Sequence, residues 1–182
     1  MPLPLSGVTL VVGPSNAGKT RLTARALDAW VDEHGSSGCV VLDFAPTVER
    51  DGEILGGPLT QFTTVPDGAF HGVVDAHAPR AAGESDAEAL ALAEENAAAA
   101  FERLDAAPAD PAAVFVNDAT IALQADPDAV DRLTAYCDRA DCAVLNAFES
   151  DELGVDDPVS STERAALQRL RTWAGRVVEL GR

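Results

Sequence analysis

Short, β-rich and mostly apolar runs punctuate the chain at residues 8–12, 39–42, 113–116 and 142–145, closing on Gly13, Asp43, Asn117-Asp118 and Asn146 respectively. Runs of this length that do not alternate with polar residues suit strands buried on both faces, as in a parallel sheet covered by helices. Between them the apolar spacing changes to three and four residues. A helical pattern covers residues 18–34. Another follows Ser85-Asp86-Ala87-Glu88, a capping box, with Leu90, Ala93, Ala97, Phe101 and Leu104 predicted to form its packed face. Asp126-Pro127 predicts a further helix start, with Val130, Leu133 and Cys137 directed at the sheet. Ser160 to Glu163 reads as a second capping box, ahead of Leu167, Leu170 and Trp173.

Residues 46–66 break the rhythm. Asp51-Gly52 and Gly56-Gly57 signal turns, so the segment reads as an irregular insertion containing a hairpin, with residues 61–65 as a further strand. Residues 71–74 and 177–180 complete the strand set. The alternation of strand and helix predicts an α/β fold, a three-layer α/β/α sandwich around a mostly parallel sheet. The whole of residues 1–182 reads as one domain, a size that buries roughly 70% of the surface its unfolded chain exposes.

Charge adds an environmental reading. The net charge of −17 would repel phosphate backbones and anionic lipid, and the arginines are scattered, so neither nucleic acid nor membrane is an expected partner. Such acidity suits solubility at high salt, as in a halophilic host. With no signal-like start and no long apolar stretch, a cytoplasmic location is expected. Cys39, Cys137 and Cys142 form no C-x-x-C pair and fall in apolar runs, which predicts buried free thiols.

The thirteen basic residues include a single lysine, Lys19, and it lies in a glycine-rich segment. Gly13, Pro14, Ser15, Asn16, Ala17, Gly18, Lys19 and Thr20 match G-x-x-x-x-G-K-[ST] in full, after a β-rich run and before a helix, with Arg21 next. Glycines at these positions let the backbone wrap an anion with its amides turned inward, and the helix start adds positive potential. Lys19 would reach the outer phosphates of a nucleoside triphosphate. Thr20 would place its hydroxyl on Mg²⁺, an ion that shares its shell with phosphate and water. A carboxylate at a nearby strand end completes such a magnesium site, and Asp118 is the candidate. Asp43 and Glu149, also near strand ends, are candidates for orienting the nucleophile. Asp75 is a fourth acid so placed. His71, Asp75 and His77 share parity on a strand but lack a further ligand, so they read as ordinary loop or core residues. Arg80 could contact a phosphate or an acidic substrate.

On the strength of residues 13–20 and the strand ending at Asp118, the chain resembles the P-loop nucleoside-triphosphatase superfamily. In layout over residues 7–148, with an Ala/Glu-rich helix before the Asp118 strand, it is similar to RecA-like proteins and corrinoid adenosyltransferases. It departs from the latter in its P-loop and in having Asn117-Asp118-Ala119 where they have an Asp-Glu pair. The resemblance implies Mg²⁺ and ATP, or another nucleoside triphosphate, as cofactors. With one lysine the chain has no N-K-x-D sequence for reading guanine, which favours adenine. The expected function is triphosphate binding with hydrolysis or group transfer. Alternatives are a slow nucleotide-dependent switch or assembly module, and a small-molecule kinase, for which Arg80 is the available lid arginine. The sequence is compatible with an oligomer and with a protein partner or further substrate.

Overall fold

The computed structural model describes residues 1–181, with the backbone alone for Arg50, Ile54 and Leu55. In chain order the elements are β1 (Gly7–Gly13), α1 (Lys19–His34), β2 (Cys39–Asp43), β3 (Val48–Arg50), β4 (Glu53–Leu55), β5 (Phe70–Val73), α2 (Pro79–Ala82), α3 (Asp86–Ala106), β6 (Ala113–Asn117), α4 (Val130–Cys137), β7 (Cys142–Phe148), α5 (Pro158–Trp173) and β8 (Arg176–Glu179). Short 3₁₀ turns occupy Leu59–Gln61, Ala119–Leu123 and Pro127–Ala129.

Six parallel strands form the main sheet in the order β5-β2-β6-β7-β1-β8, and β3 and β4 pair as a separate antiparallel hairpin. Alternate residues of each strand feed two apolar layers. Val11, Val41, Phe115 and Val144 pack with Leu27 and Trp30 of α1 on one face. Leu10, Val40, Leu42, Val114, Val116 and Leu145 pack on the other with residues of α3, α4 and α5. Each such strand residue is fully buried, and burial of a side chain of this size contributes about 1.5–3 kcal/mol. The result is the three-layer α/β/α sandwich with a parallel sheet. Cys39, Cys137 and Cys142 are buried free thiols within it, and desolvation pushes all three well above the usual thiol range.

Several local expectations are corrected. Residues 61–65 do not form a strand: the sheet edge beside β2 is taken by β5, and the chain instead turns at Leu59–Gln61 to bury Leu59 under α1. In α3 the buried positions are Ala89, Ala93, Asn96, Ala100 and Leu104, one step around from the Leu90, Ala97 and Phe101 stripe. Asn96 turns the helix this way, because its carboxamide accepts from His77 N at 2.8 Å and donates to His77 O at 2.9 Å. Ser85 caps α3 by accepting from Glu88 N at 3.2 Å, but Glu88 accepts from Glu84 N, one residue before the reciprocal partner of a capping box. Ser160 and Glu163 are not a cap at all. Asp157 accepts from Ser160 N at 2.8 Å with Pro158 at the first helical position, leaving Ser160 and Glu163 buried inside α5.

Candidate functional site

Sheet topology brings the carboxyl ends of β1, β2, β6 and β7 to one edge, where open α/β sheets place their ligand crevice. The loop from β1 to α1 forms its centre. Gly13 must be glycine, since a Cβ there would lie 2.3 Å from the carbonyl oxygen of Leu180, which follows β8. Asn16 and Gly18 adopt left-handed conformations with φ of 59° and 94°, curling the loop into the helix. Gly18 has no side chain to cap α1, and the first turn of α1 holds no acidic residue. No side chain of this turn therefore caps its leading amides.

A cavity of about 510 Å³ opens over this loop, within the usual size of a small-molecule site. Residues 15–21 line it together with Asn117, Asp118, Asn146 and Phe148, while Gly57, Gln61 and Phe62 of the insertion form another wall. Gly13 and Pro14 open the loop but do not line the cavity. Lys19 Nζ folds back to donate to Pro14 O at 2.5 Å. Burial depresses the Lys19 pKa, and the nearby carboxylates of Asp118 and Glu152 oppose that shift. Ser15 N donates to Glu152 Oε1 at 2.8 Å, so a loop amide already grips an anionic oxygen. Arg21 lies over the half-exposed Phe62 ring at 5.1 Å.

The floor is a chain of hydrogen bonds across adjacent strand ends. Asn117 Nδ2 donates to Asp43 Oδ1 at 2.9 Å and to Gly57 O at 3.0 Å. Asn146 Nδ2 donates to Asn117 Oδ1 and to Thr23 Oγ1, both at 2.9 Å, and Thr23 in turn donates to Lys19 O. Asn146 Oδ1 accepts from Asp118 N at 2.9 Å, which holds Asp118 in a left-handed conformation with φ of 57°. This fixes the Asp118 carboxyl at the edge of the cavity. Its pKa is pushed up to about 7 by burial and by the Glu163 carboxylate, against the pull of Lys19 and Arg80 and with a further push from Asp43. A carboxyl short of positive charge fits the role of a magnesium ligand, and the Thr20 hydroxyl lines the same cavity. Among the described residues no group of three or more His, Cys, Asp or Glu could hold a metal, so any ion here would draw its other ligands from phosphate and water.

Lys19, Thr20, Arg21 and Asp118 are thus brought together, and Asp43 and Glu149 are placed differently. Asp43 is buried beneath the cavity, accepting from Leu59 N at 2.6 Å as well as from Asn117, and it pins the insertion to the sheet. Glu149 is engaged by the Arg171 guanidinium at 3.0 and 2.5 Å. Arg80 lies 2.6 Å from Glu163 and 5.6 Å from the Phe148 ring centroid. Asp75 and His71 are exposed, and His77 pairs with Glu95 at 2.8 Å. Sequence reasoning missed Asn117, Asn146, Glu152 and Glu163. The two asparagines carried a signal, a polar amide closing an apolar strand run, whereas the two glutamates act through contacts more than eighty residues apart.

No known protein family matches the chain, and no curated protein matches it. Among solved structures it is similar to the Pif1 helicase from Candida albicans, with a TM-score of 0.40 and 8% identity over 97% of this chain. The chain spans about a third of that helicase, 36% of its length. Among the described residues no helix is long and apolar enough to cross a membrane.

Proposed function

We propose that the chain binds a magnesium nucleoside triphosphate, preferably ATP, through residues 13–21 and hydrolyses it or transfers a group from it. The observation that carries this reading is the hydrogen bond from Ser15 N to the Glu152 carboxylate, since it marks the loop as an anion receptor. Lys19 neutralises phosphate charge, and Thr20 and Asp118 hold the ion. Asp43 and Glu149 are the candidates for orienting a nucleophile, and either would have to exchange its present partners to do so. The net charge of −17 argues against nucleic acid and membrane as partners.

A second reading, a nucleotide-dependent switch that turns over slowly, draws on a specific observation. Asp118 is the single acid lining this first cavity among the described residues, and the nearby carboxylates of Asp43, Glu149 and Glu152 are each held by other groups rather than turned to a water. Phosphate release from MgATP and MgGTP, in dilute buffer and in molar KCl, distinguishes the two. Turnover above about 0.01 per second that Lys19→Ala abolishes supports the enzyme. Lys19-dependent binding without turnover supports the switch, and absence of binding overturns both.

A further inference from the structure

A second cavity of about 490 Å³ adjoins the first and shares Ser15, Gly56, Asp118 and Phe148 with it. Its apolar wall includes Val48, Pro79, Ile121 and Leu153. Its polar lining is lopsided. Arg80 is the one cation lining it among the described residues, and Glu163 neutralises that guanidinium in a buried pair at 2.6 Å. The exposed Glu49 and Glu152 add negative charge, and Asp118 adds to it once deprotonated. Gln124 lines the same cavity and is fully buried; its Nε2 donates to Glu163 Oε1 at 3.2 Å, while its Oε1 has no hydrogen-bond partner among the described residues. Leaving a buried carbonyl oxygen unpaired is destabilising, a penalty that a ligand's donor would remove.

We propose that this second cavity binds an organic cation, an ammonium or guanidinium compound on a short apolar stem, whose N–H groups serve Gln124 Oε1 and whose charge faces Glu49 and Glu152. The stem packs against Phe148, Pro79 and Ile121, and the cation can draw on the Phe148 ring as Arg80 already does. An anionic ligand would meet carboxylates with the arginine already engaged. A neutral alcohol would satisfy Gln124 but leave the acids unopposed. The inference does not rest on nucleotide binding, and it would stand if that reading failed.

Amide shift titrations of the ¹⁵N-labelled chain with 2-phenylethylamine, 2-phenylethanol and phenylacetate test it, because the three probes share a stem and differ in charge and donors. The amine is expected to shift the amides of Ala78, Ala81, Ile121 and Leu153 saturably, at least about tenfold more tightly than the alcohol. Phenylacetate is expected to leave them unmoved. Gln124→Met should weaken the amine about tenfold, and Glu49→Gln, at an exposed position, about threefold. Equal binding of amine and alcohol, a preference for phenylacetate, or no binding of any probe overturns the proposal. If Gln124→Met fails to give a dispersed spectrum, the probe series and Glu49→Gln still decide. Loss of MgATP binding in Lys19→Ala with amine binding intact would leave this proposal standing on its own.

Discussion

Glu152 places a carboxylate oxygen against an amide of the loop after β1 and its charge near Lys19, two places that a bound phosphate would need. Removing its charge should ease phosphate entry. Glu152→Gln is expected to tighten nucleotide binding by about three- to tenfold, read by calorimetry, and unchanged affinity would show that the contact does not compete. Asp118 sets a pH dependence. Its folded pKa of about 7 lies above the ordinary 3.8, so the folded protein holds this proton more tightly than the unfolded chain does. Stability contributed by the protonated group is therefore full below about pH 4 and is lost as pH rises towards 7. Asp118→Asn, which keeps a residue type suited to positive φ, should raise the melting temperature more at pH 8 than at pH 5. An equal gain at both values would refute the shift. The glycine-rich turn of residues 13–20 was legible in the sequence because its glycines fall within eight positions, between an apolar run and a helical pattern. Asn117, Asn146 and Glu152 were not, since each acquires its role from a partner on another element.

At the scale of elements, the start of α5 shows how one cap displaces another. Ser160 and Glu163 satisfy a local pattern, yet Asp157-Pro158 supplies both an acceptor for Ser160 N and a proline preset for the first turn. That choice frees Glu163 to reach Arg80, Thr120 and Gln124 from inside the helix. Although burial opposes it, hydrogen bonding from Ser160 holds the Asp157 carboxyl below its ordinary range, so the cap is fully formed above about pH 4 and weakens as pH falls. Asp157→Ala should cost about 1 kcal/mol in urea unfolding at neutral pH, with a smaller loss in acid. The strands were readable because an apolar run buried on both faces has few alternatives. The packed face of α3 was not, because a buried asparagine gripping the His77 backbone outweighed the leucine and phenylalanine stripe. The same limit applies to residues 61–65, whose strand pattern had no open sheet edge to join.

The molecule as a whole carries a net charge of −17 on 182 residues, and self-repulsion works against compactness. Molar KCl shortens the screening length to about 3 Å and should raise the melting temperature by about 5 °C over dilute buffer. A flat or falling salt profile would show that ion pairs such as Arg171 with Glu149 and Glu179 outweigh the repulsion. The α/β/α layering followed from strand and helix alternation, but the sheet order did not, because it depends on which edges the chain returns to. That order has a mechanical consequence. Asp43, Asn117 and Asn146 cross-brace the tips of β2, β6 and β7, and Thr23 ties the brace to α1, so the floor under a ligand behaves as one stiff plate. A spin label on the hairpin of β3 and β4, outside that brace, is therefore expected to respond to an added ligand more than one on the braced strand tips.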